Sequence, residues 1–527
     1  MGWLLILCLQ FFLCTHVRSS SSHFLCRLDD SSSLLQFKAS FNIDTTDTNC
    51  GKLAYAEVST WQNVSGHVIG LDLSCNGLQG MIHPNSTLFH LSHLQTLNLA
   101  HNRLFPTQLS SQFGAFVNLT HLDLSDTKIQ GEVSSYISHL SKLVSLDLSM
   151  NDDLKWIQEV TLKRLLQNAT SLTELVFDHT NMSFIAPSSF FSFLNLSSLV
   201  AISLKGIGLS GNMMSNENTL CLPKLQELYM SANFDLRGQL PKLSCSISLT
   251  VLDISQCQFQ GSILQFFSNL TQLTFLSLSG NNVGGELPPS WLTSLKQLTL
   301  MDFSGNKLIG RIPDVFGGLT KLKTLNFKNN CLEGQIPSSL FHLTSLSYLD
   351  CSSNKLEGYL PNKITVLSNL TALWLNNNTL KGTIPSWSLS LPYLVDLDLS
   401  NNQFTGHIST AISSHSLEYM FLCNNMLQGN IPESLFNLVN LTNLCLSSNN
   451  LSGFVNFKLF SKFQNLESLS LSQNSQLSVN FESDSELFNY SFPSLRVLEL
   501  SSLSLTELPK SFGEIFPSLV YVDLSKS

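Results

Sequence analysis

A chain of 527 residues with 12% charged side chains, 28 Lys and Arg against 37 Asp and Glu and a formal net charge of -9 is not a nucleic-acid binder, which needs clustered basic groups to neutralise phosphates. Length alone would suggest three or four domains, but a repeat running through most of the chain makes one long array the better count. The 13 histidines show no metal-ligand spacing, and no nucleophile, base or metal constellation points to catalysis, so neither a metal, a cofactor nor a catalytic residue is expected.

In chain order, residues 1–22 read as a signal peptide. Trp3 to Leu13 is apolar, and the small polar run Ser19 to Ser22 places cleavage between Arg18 and His23. No later segment has 18 consecutive apolar residues, so no membrane span is expected in this chain. Export agrees with twelve Asn-x-Ser/Thr sequons, at Asn63, Asn85, Asn118, Asn168, Asn181, Asn195, Asn269, Asn369, Asn377, Asn440, Asn450 and Asn489. It also agrees with the ten cysteines left after signal removal, which suit an oxidising compartment.

From residue 67 to 527 the chain repeats. Nineteen times between Val68 and Asp523 it spells an apolar residue, two others, an apolar residue, one other and a third apolar residue. The unit starts at Leu298, Leu322, Leu346, Leu370 and Leu394, a step of 24 residues. A unit of that size cannot bury its apolar face alone, so the repeats must stack into an α/β solenoid. Within each, alternation predicts a short strand: Leu394, Leu397 and Leu399 point inward, Asp396, Asp398 and Ser400 outward. Stacking then makes a parallel sheet on the concave side.

An asparagine follows the strand at Asn76, Asn102, Asn151, Asn233, Asn281, Asn306, Asn330, Asn354, Asn378, Asn402, Asn425, Asn449 and Asn474. An amide side chain donates and accepts at once, so a stack of them can satisfy the turns of adjacent repeats. Thr127, Thr180 and Cys257 stand in as weaker groups. Ile207 and Leu503 cannot serve, so irregular repeats are expected there. Next come "LIGRIP", "LEGQIP", "LEGYLP", "LKGTIP" and "LQGNIP", whose glycines (Gly310, Gly334, Gly358, Gly382, Gly429) permit a sharp turn and whose prolines favour extended or helix-starting geometry. Stretches such as "SSLFHLTS" predict one or two helical or 3₁₀ turns on the convex side.

These motifs resemble the plant-specific subclass of extracellular leucine-rich repeats with its Leu-x-Gly-x-Ile-Pro segment. "GHVIGLDLSCNGLQG" and "DDLKWIQEVTLKRLLQNATSLTEL" are most similar to plant leucine-rich-repeat receptor-like proteins. The resemblance implies an ectodomain that precedes a single membrane span and a short tail without a kinase. It implies a cell-surface, extracellular location and a peptide, protein or glycan ligand sensed in defence or development, with signalling through partner receptor kinases. Other readings remain open: a secreted inhibitor resembling polygalacturonase-inhibiting proteins, the ectodomain of a receptor kinase, or a gene fragment without function.

By the same resemblance residues 23–66 are the N-terminal cap. Cys26 to Phe41 is its helix, N-capped by Asp29, Asp30 or Ser31, with Leu34, Leu35, Phe37, Lys38 and Phe41 on the covering side. The family's Cys-Cys-x-Trp-x-Gly-Val-x-Cys segment is absent. Cys26 and Cys50 are the candidate disulfide, which leaves Cys75 without a local partner. The array reaches Ser527 without a family-like C-terminal cap, so an open sheet edge and a truncated gene product are expected.

Several local patterns have ordinary explanations. "GIGLSG" at Gly206 to Gly211 falls at a repeat turn rather than in a dinucleotide-binding unit. Cys221, Cys245 and Cys257 form a local group in which one disulfide is plausible, Cys351 is a core residue, and Cys423 and Cys445 lie offset on adjacent strands. The stripe Asp72, Asp123, Asp147, Asp253, Asp302, Asp350, Asp398 and Asp523 is too regular for an acid/base pair. Departures from the repeat are more informative. Tyr348, Trp374, Tyr419 and Phe421, with Asn376, Asp396 and Asp398 between them, crowd the concave surface and form the candidate ligand-binding patch.

Overall fold

The computed structural model describes residues 26–44, 59–62, 65–194, 198–213, 222–240, 243, 245–263, 270–364, 367–481, 490–505, 508 and 511–526. The signal peptide, Cys50, Cys221 and the sequons at Asn63, Asn195, Asn269 and Asn489 lie outside them. The chain divides into two compact units near Gln260.

The first unit begins with a helix, Leu28–Ala39. Arg27 holds the N-cap position without a side-chain cap bond, so none of Asp29, Asp30 and Ser31 caps it. Asp30 is buried and reaches sideways instead. Its Oδ2 accepts the Val68 N–H at 2.9 Å and lies 3.3 Å from His67 Nδ1, tying the helix to the first strand. Leu34, Phe37 and Phe41 are buried as the apolar pattern requires, whereas Leu35 is exposed. A helix on a flat repeat end buries a narrow stripe, and Leu35 falls beside it. Two short pieces complete this end: Asn42–Ile43 pairs antiparallel with Leu78–Gln79, and Ser59–Gln62 pairs antiparallel with Val68–Asp72. Cys75 is disulfide-bonded, as is Cys245, which corrects the expectation that Cys75 has no partner.

Eight parallel strands follow in this unit, from Val68–Asp72 to Val251–Asp253, each in register with the next. The second unit continues the pattern with eleven, from Phe275–Ser277 to Tyr521–Asp523. Each strand is only about three residues long, and its central residue, such as Leu146, Leu349 or Leu397, is fully buried. The flanking residues are mostly half-buried on the open face. Last in the array, Tyr521–Asp523 departs from this, with its central Val522 43% exposed.

The asparagines perform the expected double service. Asn330 Nδ2 donates to Phe303 O of the preceding repeat at 2.9 Å and to Phe327 O and Lys328 O of its own at 3.1 and 3.2 Å. Its Oδ1 accepts the Leu308 N–H at 3.0 Å. The pattern recurs at Asn354, Asn378, Asn402, Asn425, Asn449 and Asn474. The repeats without asparagine are not irregular. Where Ile207 stands, its backbone carbonyl takes the Met182 N–H at 2.8 Å, and the strands Ala201–Ser203 and Ser210–Asn212 both form. Leu503 is likewise accommodated between Val497–Glu499 and Ser504–Leu505. A carbonyl can replace the Asn acceptor because the neighbouring repeat already holds it in register.

The Leu-x-Gly segment forms a second parallel ladder rather than a free turn. In the second unit it runs from Asn282–Gly285 to Ser504–Leu505. Gly382 lies inside its strand at φ 84, and a Cβ there would run into the Tyr359 ring of the preceding repeat. Glycine is needed for both conformation and approach. Beyond this ladder come the expected short turns, such as the 3₁₀ segment Ser338–His342, with the α-helix Glu159–Asn168 in the longer fourth repeat.

Candidate recognition surface

Strand register decides which open-face side chains meet. In the second unit the first strand positions align as Thr324, Tyr348, Ala372, Asp396, Tyr419 and Asn443, and the third as Asn326, Asp350, Trp374, Asp398, Phe421 and Cys445. Six of the seven expected patch residues therefore stand on four consecutive strands, Tyr348–Asp350, Ala372–Trp374, Asp396–Asp398 and Tyr419–Phe421. Asn376, two residues past its strand, is half-buried at the rim.

The Tyr348 and Trp374 rings pack edge to face, 5.3 Å between centroids and 73° between planes, a favoured aromatic geometry. Lys328 Nζ lies 5.8 Å from the Trp374 ring centroid. Burial raises the Tyr348 hydroxyl's pKa, with the neighbouring Asp350 adding to it. Burial also raises Asp396, against the favourable Trp374 indole beside it, and raises Asp398, against hydrogen bonds from Ser400 and the charge of Lys328. Tyr419 is exposed and Phe421 half-buried.

Three open-face details depart from the expected outward stripe. Asp350 is fully buried, its Oδ1 accepting the Ser352 N–H at 2.8 Å. Asp398 Oδ1 accepts both the Ser400 N–H at 2.9 Å and its hydroxyl at 2.6 Å. Ser400, expected to face outward, is buried by that bond. The recurring Asp thus closes the turn after its own strand, an Asx-type role. Lys328 was missed as a member of the surface. Lys328 was legible in principle, because "NFKNN" places a lysine where "DLSNN" has serine.

The first unit's open face is acidic, with Glu174, Glu227, Asp123, Asp147, Asp178 and Asp253 on or just past neighbouring strands. Burial, helped slightly by the charges of Asp123 and Asp178, raises Asp147 to about 6 despite its hydrogen bonds from Ser149. The folded carboxyl therefore binds its proton more tightly than the unfolded one, whose pKa is about 4, and this group's contribution to stability falls as pH rises from about 4 through 6. Asp147→Asn keeps an acceptor for the Ser149 N–H and is expected to stabilise the protein at pH 7 by up to about 3 kcal/mol, with no gain at pH 4. Thermal melts of both proteins at the two pH values measure this. Equal differences at both would show that Asp147 carries no such penalty.

Of the described sequons, Asn85, Asn168, Asn369, Asn377, Asn440 and Asn450 are exposed, and Asn118 and Asn181 half-buried. Among the described residues no helix is long and apolar enough to cross a membrane.

Comparison with known proteins matches residues 230–373 to the leucine-rich repeat region family and residues 118–140, 393–415 and 416–438 to the Leucine Rich Repeat family. Receptor-like protein 6 of Arabidopsis thaliana is 33% identical over 48% of this chain and 28% of its own length. Receptor-like protein 9DC1 of Solanum pimpinellifolium is 38% identical over 53% of this chain and 34% of its own. The matches thus span about a third of these curated relatives. Among solved structures, the Arabidopsis receptor kinase HAESA in complex with the peptide hormone IDA and the co-receptor SERK1 aligns at a TM-score of 0.60 and 25% identity, covering 95% of this chain and 99% of that one.

Proposed function

From leucine-rich repeats of the plant receptor-like-protein kind, we propose that this chain is an extracellular recognition module that binds an extended peptide along the open face of its second unit. The observation that carries this reading is the set of aromatics, Tyr348, Trp374, Tyr419 and Phe421, on three of four consecutive strands, with the carboxylates of Asp396 and Asp398 on the strand between them. A repeat array offers the same side chain at each step, so a local run of large aromatics departs from what stacking needs. Exposed ring faces and half-buried carboxylates suit a ligand that alternates apolar and polar groups. The relation to HAESA, whose solved complex holds a peptide hormone, supports a peptide over a glycan. Residues 1–22 direct export, the sequons carry glycans, and the module acts by binding rather than catalysis. It signals in defence through a partner receptor kinase, at the plasma membrane.

The test is selection of a displayed random-peptide library on the secreted protein, followed by affinity measurement of enriched peptides. Trp374→Ala should weaken them by at least about tenfold, as expected for a central aromatic anchor, while Tyr359→Ala on the other ladder should not. Peptides that bind wild type and Trp374→Ala equally would place recognition elsewhere.

A further inference from the structure

We propose that Cys423 and Cys445 form a peroxide-oxidisable dithiol that closes to a disulfide on the open face of the second unit, at the end of the aromatic row. Cys445 ends the strand Asn443–Cys445 and stands in register with Phe421. Cys423 follows two residues after Phe421. With Met420 and Leu422 both buried, strand alternation turns Phe421 and Cys423 to the same face. The backbone on either side of Cys423 is held to the next repeat by Leu422 N–H to Cys445 O at 2.9 Å and Asn424 N–H to Ser447 O at 3.0 Å.

Both thiols are unbridged and half-buried, on one face of adjacent repeats. The Cys445 sulfur also lies 3.2 Å from Ser447 Oγ, with Ser470 beyond it on the following strand. Three other unbridged thiols differ: Cys351 and Cys257 are buried with their acidity suppressed, and Cys331 lies on the second ladder. The neighbouring Cys423 thiol, followed by Ser447, holds the Cys445 thiol below the usual thiol range against the opposing effect of burial. The same contact, together with burial, raises Cys423, which keeps its proton. Cys445 is thus the more acidic of the two thiols and Cys423 the less acidic, the division of labour of an attacking and a resolving cysteine.

The steps balance with hydrogen peroxide as oxidant. The Cys445 thiolate attacks one peroxide oxygen, the O–O bond breaks, and hydroxide leaves to become water, giving a sulfenic acid. Cys423 then loses its proton and attacks the Cys445 sulfur, expelling the hydroxyl as a second water. In total two thiols and one peroxide give one disulfide and two waters. The bridge joins diagonal rather than opposite positions. Cys423 lies beyond its strand, beside Asn424 at φ 54, so the closing movement falls on the turn, at the expense of the Leu422 and Asn424 N–H bonds to the next repeat. This inference stands on the thiols' own geometry, whether or not the aromatic row binds a peptide.

The experiment uses the secreted full chain, mildly reduced, exposed to equimolar hydrogen peroxide, quenched with N-ethylmaleimide and mapped by mass spectrometry. A linked Cys423–Cys445 peptide is expected, with Cys331 and Cys351 alkylated and a reaction rate that rises with pH as the Cys445 thiol ionises. Cys423→Ser should instead trap a dimedone-reactive sulfenic acid on Cys445. Cys445→Ser should slow oxidation of Cys423 by at least about tenfold. Protein already carrying the bridge on purification would also support the proposal. Oxidation of Cys331 as fast as Cys445, or absence of a linked peptide while Cys445 over-oxidises in the wild type, would overturn it. Those two wild-type readouts decide the matter even where a serine variant fails to fold.

Discussion

Replacing Asn402 by leucine will destabilise the second unit by about 2–4 kcal/mol, among the largest single-residue effects expected in this chain. Asn402 Nδ2 donates to Leu375 O at 3.0 Å, Ser400 O at 3.1 Å and Leu399 O at 3.2 Å, and its Oδ1 accepts the Leu380 N–H at 3.0 Å. Leucine fits the volume but leaves the buried Leu380 N–H without a partner, at about 1–3 kcal/mol, and removes one of the two donors from each of the Leu375, Leu399 and Ser400 carbonyls, which keep those of Asn378, Asn425 and the Asn377 N–H. In a stacked array the loss stays near the altered repeat and its neighbours, so it should appear as faster exchange of the Leu380 amide as well as a lower melting temperature. Asn402→Thr should cost less, since Thr127 and Thr180 hold their own turns through Leu124 O and Phe177 O. Unchanged Leu380 protection in the leucine variant would show that the asparagine stack is not what satisfies these turns.

Gly77→Ala is the second large effect, and it acts on the N-terminal end of the first unit. Gly77 has φ 62, and a Cβ there would occupy the position of the Asp44 carbonyl oxygen. That backbone is held in place: the Asp44 N–H donates to Gly77 O at 2.8 Å, Gln79 Nε2 donates to Asp44 Oδ2 at 2.6 Å, and Asn42–Ile43 pairs with Leu78–Gln79. Alanine brings both a left-handed backbone cost and a clash with main chain that cannot swing aside, together about 2–4 kcal/mol. The short pairing should open and release the end of the helix Leu28–Ala39. Limited proteolysis would then cut near residue 44 in the variant while leaving the repeats intact. A wild-type digestion pattern and melting temperature would sink this account.

The architecture is legible in the repeat itself. A three-leucine strand followed by asparagine has one workable arrangement when stacked: leucines inward, amides between turns. The observed bonds of Asn330 and Asn402 follow from the two-sided chemistry of a single side chain. The aromatic departures Tyr348, Trp374, Tyr419 and Phe421 are legible for the same reason, because a strict period exposes what breaks it.

What the sequence hides depends on neighbours that no single repeat contains. The second ladder through Lys355–Tyr359 and Thr379–Thr383 exists because consecutive repeats present the same segment side by side; one repeat alone reads there as a turn. The regularity at Ile207 comes from a carbonyl supplied across the stack to Met182. Asp350 belongs to the outward stripe by pattern, yet lies fully buried with its Oδ1 on the Ser352 N–H. Periodicity specifies the direction a side chain takes from its own backbone, and that is enough for the core and the strand order. Contact, burial and acidity arise from adjacent turns of the solenoid, so only the stacked array settles them.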